Sequence, residues 1–299
     1  MTSALILLLV AVAAAWPVST LLANSAWPSR FPRVGLLAWY ALGVVMVGSV
    51  ILGGLVIASP RHVGSVTLAL RELVAQWSGR HPFSHVTFSA AVGLSIAVDA
   101  AAAVVVIIAM TALRLHRQRS HHRRILGVVG TRVDRGTVLV EYPQPLAYFV
   151  PGLGGRIVLS TGMTRRFTGA EISSVVAHEG GHRRGHHGAL LLPFHSFATH
   201  FRWLPFARLA SEHVTELVEF SADDHAVRTE GRGALLGALQ HMIGVDHPTP
   251  ACALGVGGST LVARIERLNS PATVAFSDVL SVVVAMSAVW LAVVGVLLR

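Results

Sequence analysis

Residues 178–182 read His-Glu-Gly-Gly-His, two imidazoles four positions apart with a carboxylate directly after the first. On an α-helix that spacing puts both rings on one face, one turn apart. Two imidazoles and an adjacent carboxylate are the beginnings of a zinc-dependent hydrolase, with His178 and His182 as metal ligands and Glu179 as general base. A catalytic zinc also needs a third protein ligand and a position open to water. Cysteine does not supply it: the single Cys252 leaves neither a Cys-based zinc site nor an intramolecular disulfide.

A carboxylate could. The stretch ELVEFSADDHAV places Glu219 and Asp223 four apart on a second expected helix. One of them can reach a metal while the other, a turn away, accepts the free N–H of a ligating histidine and fixes its tautomer. The same acids also suit a solvated helix face with Glu212 and Glu216. Chain topology favours the pairing. His182 and Glu219 meet only if an even number of membrane crossings separates them, and two crossings need about 40 apolar residues. Only 36 residues lie between, six of them charged, including Arg183, Arg184 and Glu212. No crossing is therefore expected there, and Ala189–Phe201 is expected to be buried or interfacial near the membrane.

The helix bearing the two histidines must form despite Gly180 and Gly181, each costing about 1 kcal/mol relative to Ala. Its start signal is good: Thr168 and Glu171 fit a capping box, with Phe167 and Ile172 as a hydrophobic staple. Ahead of it, TVLVEY (Thr137 onward) and Arg156–Ser160 read as strands separated by turn signals. The second of these, through Ile157, Val158 and Leu159, could offer an edge to an extended substrate, or be an ordinary internal strand. Arg264, His213 and His225 are candidates to steady a developing oxyanion, with Arg264 also a candidate substrate contact.

Around this core the chain is apolar: 53% hydrophobic, 13% charged, mean hydropathy +0.61. A soluble domain would carry roughly a quarter charged residues. The excess sits in blocks around Thr2–Pro28, Val34–Ser59, Val86–Leu113 and Val279–Leu298, each long enough for a membrane span of about 20 residues. The expected domains are 1–114 (three spans and a short outer loop), 115–275 (a zinc peptidase domain) and 276–299 (a fourth span). Within the loop, Val66, Leu70, Leu73, Val74 and Trp77 share one helical face, as a surface helix or a small lid. Asp99, inside the third span, is a functional candidate or a helix-packing partner.

The formal charge is +9, and all 24 basic residues are Arg. Nucleic acid is one reading of that balance, but so many Arg flank apolar blocks that positive-inside orientation is the better one, and no direct nucleic-acid partner is expected. The cluster RLHRQRSHHRR after the third span places the peptidase domain in the cytoplasm and both termini outside.

Taken together, His178-Glu179-x-x-His182 followed by a helical E-x-x-A-D-x-x-A (Glu219, Ala222, Asp223, Ala226), with three spans before and one after, resembles the BlaR/MecR-type integral-membrane zinc metallopeptidases, a gluzincin family. The resemblance implies one Zn2+ per chain held by His178, His182 and Glu219, Glu179 as base and Asp223 orienting a ligand. It implies an α-helical bacterial membrane protein with an α+β zincin-like domain inserted between the third and fourth spans. It also implies regulatory proteolysis of a protein substrate such as a BlaI-type repressor, beside the lipid bilayer and compatible with a homo-oligomer. An HtpX-like quality-control protease is the alternative enzyme, although relatives of that kind place spans between the two motifs. A non-catalytic zinc-binding scaffold is the alternative outside enzymes, and the presence of Glu179 speaks against it. Two departures stand out: Gly180 between the ligands, and His186-His187 where many relatives carry an acid. The extracellular penicillin-binding domain of the antibiotic sensors is expected to be lacking, and with it direct β-lactam sensing.

Overall fold

The computed structural model describes residues 2–59, 67, 71, 74–75, 78, 87–134, 136–152, 155–243, 258–270 and 276–297. Among the described residues, three helices are long and apolar enough to cross a membrane: α1 (Thr2–Ala23), α2 (Pro32–Ala58) and α3 (Phe88–Val129). They point to a membrane protein. Helix α1 loosens into a π-helical turn over Ala14–Val18 at Pro17, because proline has no N–H to donate and its ring collides with the preceding turn. The expected surface helix at Val66–Trp77 lies almost wholly outside the described residues.

Helix α3 is 42 residues long and about 60 Å from end to end. It does not stop at residue 114, where the apolar run ends. The arginine-rich stretch continues the same helix to Val129 and feeds a mixed four-stranded sheet, β1 (Gly130–Arg132), β2 (Thr137–Val140), β3 (Ala147–Val150) and β4 (Arg156–Ser160), in spatial order β1-β2-β4-β3. Strand β4 pairs in parallel with β2 and antiparallel with β3.

Then follow α4 (Thr161–Arg166), α5 (Gly169–Arg184), the single turn α6 (His187–Leu190), α7 (Leu192–His200) and α8 (Pro205–Glu230). The described chain ends with α9 (Arg232–His241), α10 (Gly258–Asn269) and α11 (Phe276–Leu297), the last containing the apolar run Val282–Gly295. The protein is thus mostly helical with one small sheet.

The sheet is packed on both faces, and the alternation of its strands shows how. Tyr148, Val150 and Val158 cluster with Leu126 of α3. Phe149, Ile157 and Leu159 point the other way and cluster with Val175 of α5, Met163 and Phe167. Period-two side chains on a strand sort them in this way.

The largest core joins the spans to the rest of the chain. Val10, Ala14 and Leu22 of α1 and Leu36, Trp39, Leu42 and Met46 of α2 pack with Phe194 of α7 and with Phe206, Ala210, Val214 and Leu217 of α8. The segment Ala189–Phe201 is half-buried against this bundle, Tyr40 donating its hydroxyl to the Leu190 carbonyl at 2.6 Å and meeting Phe194 edge-on.

Candidate metal centre and active site

Helix α5 starts where its capping box predicts. Thr168 accepts the backbone N–H of Glu171, and Glu171 returns the bond to the backbone N–H of Thr168 at 2.8 Å. Phe167 and Ile172 close the staple in one apolar cluster. The helix then delivers His178, Glu179 and His182 to a buried face against α8.

Gly181 is what allows the two helices to come this close. A Cβ there would stand 3.0 Å from the Ala222 Cα of α8, close enough that the helices would have to part by a few tenths of an ångström, whereas a Cβ at Gly180 would meet nothing within 4 Å. Backbone contact at Gly181 brings Glu219 to the histidine pair.

The three donors converge. His178 Nε2 lies 3.1 Å from His182 Nε2, Glu219 Oε2 lies 3.3 Å from His178 Nε2, and Glu219 Oε1 lies 3.5 Å from His182 Nε2. A tetrahedral zinc with ligands about 2.1 Å away sets those ligands about 3.4 Å apart. The donor set therefore fits one divalent ion in both spacing and chemistry, two nitrogens and a carboxylate, each nearly inaccessible.

Glu179 supplies the second sign of fit. Its side chain is buried, the backbone N–H of Phe149 favours its ionised form, and its Oε2 has no hydrogen-bond partner. A buried carboxylate oxygen left unpaired beside a ligand cluster is costly unless something polar completes it, and a water at the metal would do so. Burial foremost, with Glu219 adding to it against the pull of His178, raises the Glu179 pKa to about 7.

Behind the donors stands a second layer. Asp223 Oδ1 accepts from His178 Nδ1 at 2.9 Å, which leaves Nε2 as the ligating nitrogen. Arg264 from α10 holds Asp223 with two bonds, Nε to Oδ2 at 2.8 Å and Nη2 to Oδ1 at 2.5 Å, and lies 3.4 Å from Glu219. Burial opposes ionisation of Asp223, but Arg264 and His178 outweigh it and hold its carboxyl below the usual range. Burial likewise opposes Glu219, and His182 and His178 overcome it. His178 is pulled down by burial and by Arg264, yet Asp223 and Glu219 raise it to about 9.

On the other ligand the partner is a histidine. His182 Nδ1 lies 2.9 Å from His187 Nδ1. Burial drives His187 down to about 4 and His182 to about 3, so at neutral pH His187 is uncharged and its Nδ1 can accept the His182 proton. The chain reverses after α5 through His186 in the left-handed conformation (φ 49°), which costs a non-glycine residue about 1–2 kcal/mol. The returning His187 ring lies so near the Gly185 backbone that a Cβ there would collide with it. In the sequence His187 stood out only as a departure from the acid found in relatives.

The remaining candidates lie in different parts of the fold. Strand β4, with Ile157, Val158 and Leu159, has a neighbour on each side and presents no free edge. The edge beside Glu179 belongs to β3, a strand the sequence reading did not resolve. Buried aliphatic side chains on both faces of β4 mark an internal strand. Arg264 is 3% exposed, and its guanidinium lies on Asp223 behind the donors. His213 stacks on Trp39 of α2, ring centroids 5.9 Å apart, while His225 lines a cavity with Gly181, His187 and Arg33. Asp99 is on the exposed side of α3, far along the chain from the cluster.

Residues 109–211 match the sequence family described as Peptidase family M48. The match takes in the arginine-rich extension of α3, the sheet and the His178–His182 motif, and it ends before Glu219. Comparison with curated proteins and with solved structures returns no match. A metallopeptidase-type motif from sequence and a third donor from geometry thus meet at one centre, which supports a membrane-associated metallopeptidase similar to family M48.

Proposed function

We propose that this chain is a membrane-anchored zinc endopeptidase that cuts protein substrates at the cytoplasmic face. The observation that carries the reading is the tetrahedral-edge spacing of His178, His182 and Glu219 beside a buried Glu179 with one unpaired oxygen. A zinc ion held by the three donors would lower the pKa of a water toward neutrality and polarise the scissile carbonyl.

The chain's own residues do the rest. Glu179, with its raised pKa, takes the proton of the attacking water and passes it to the leaving amine. Asp223 fixes His178 with Nε2 free, Arg264 fixes Asp223, and His187 does for His182 what Asp223 does for His178. The substrate lies extended along β3, adding as a further strand that presents its peptide bond to Glu179. The arginine cluster on α3 orients the site toward the cytoplasm, with both termini outside.

For substrate, the reading is regulatory proteolysis of a small BlaI-type repressor. Membrane-protein quality control is the second reading, favoured by the core that the ligand-bearing α8 shares with the apolar helices α1 and α2. The test is metal analysis and cleavage together. Wild-type protein is expected to hold one zinc, His178→Ala none, and Glu179→Gln one zinc with cleavage of a co-expressed winged-helix repressor reduced about 10²–10⁴-fold. Equal metal content and equal cleavage in all three would remove the enzyme. Cleavage of misfolded membrane proteins with the repressor intact would select quality control.

A further inference from the structure

Next to the ligand cluster, a cavity of about 600 Å³ opens between α3, Pro151 after β3, the end of α5 and α6, and His182 forms part of its wall. Phe149 of the edge strand forms another part, so the cavity adjoins the track along which a substrate would lie. Among its lining residues are Arg119, Arg123 and Arg183 together with the imidazoles of His116 and His186, and no Asp or Glu.

Membrane orientation alone asks for arginines near a span and is indifferent to the face they occupy. Here the faces are sorted. His116, Arg119 and Arg123 follow one another at spacings of three and four, hence on one stripe of α3, and that stripe borders the cavity. Arg114, Arg117 and Arg124 are exposed and lie outside the lining. Arg123 is held in place by neutral acceptors, the Pro151 carbonyl at 2.7 Å and the Ser120 hydroxyl at 3.0 Å, so its charge is positioned without being cancelled.

We infer that this cavity receives an acidic stretch of the substrate polypeptide, so that the protein prefers substrates carrying Asp or Glu beside the bond presented to Glu179. The inference rests on the endopeptidase reading, and it favours a peptide over an anionic lipid headgroup because the cavity touches both the edge strand and a ligand histidine.

Binding separates it from catalysis. Full-length Glu179→Gln protein, zinc-loaded in neutral detergent, is titrated with labelled decapeptides that are either acidic or neutral and otherwise matched, and Kd is read by fluorescence anisotropy. Exposed ion pairs contribute a few-fold each, so the acidic peptide is expected to bind about tenfold more tightly. That preference shrinks as salt rises from about 0.05 to about 0.5 M, and Arg119→Glu reverses it in favour of a Lys-rich peptide. Equal affinities, or a preference that Arg119→Glu and salt both leave intact, overturn the inference. So does indifference to peptide charge combined with displacement of the neutral peptide by anionic phosphatidylglycerol, which assigns the cavity to lipid. Failure of wild-type protein to cleave either peptide, with the acidic preference in binding intact, removes the peptidase and keeps the cavity.

Discussion

At the scale of single residues, His187 and Glu179 give the sharpest tests. His187 touches no donor to the metal except through His182, so its loss should be felt as affinity. Replacement by Ala is expected to weaken zinc binding about 10–100-fold, the usual effect of removing an orienting partner, and Asn or Gln, which can still accept from Nδ1, should recover part of it. A competition titration with a zinc chelator reads both. Glu179 must be ionised to act as base, and burial sets its pKa at about 7. As pH falls through that value the carboxylate takes up its proton, so kcat/KM should drop about tenfold per unit on the acid side. A pH–rate profile flat from pH 5 to about 8 would contradict the role.

At the scale of elements, the glycine pair in the metal helix divides its labour. Gly181 lets α5 and α8 approach to backbone contact, and Gly180 faces open space. Gly181→Leu should therefore push Glu219 away from the histidines and abolish stoichiometric zinc, whereas Gly180→Ala should keep zinc and raise the melting temperature by a few degrees, given a helix gain of up to about 1 kcal/mol. Metal analysis and thermal melting of both variants decide it. The capping box, the staple and strands β2 and β4 were legible in the sequence because each depends on neighbours a few residues apart. Strand β3 was not, since its four residues carry no period of their own and its identity as the edge depends on where β4 pairs.

At the scale of the whole molecule, the core shared by α1, α2, α7 and α8 sets a limit on dissection. Val214 and Leu217 share a helix with Glu219, and the other wall of their core is Leu36, Trp39 and Leu42 of α2. A fragment of residues 115–275 would expose that wall to water, at about 25 cal/mol for each Å² of apolar surface uncovered. It is expected to aggregate or to bind no zinc, while the full chain in detergent binds one. A soluble, zinc-binding fragment would show that the peptidase portion stands without the spans.

By itself, the sequence determined the chemistry on offer: two imidazoles and a base at helical spacing, a carboxylate pair at the same spacing, and apolar runs long enough to cross a bilayer. Those are properties of residue type and local period, which survive without a fold. Only the tertiary structure decided that Glu219 meets the Nε2 atoms of both histidines while Asp223 meets Nδ1 of His178 from the other side, that Arg264 lies on Asp223, that His187 stands against His182 and that the edge strand beside Glu179 is β3. Each of those depends on which helix touches which and at what distance, and the close approach at Gly181 and the turn at His186 set those distances across parts of the chain that local pattern does not connect.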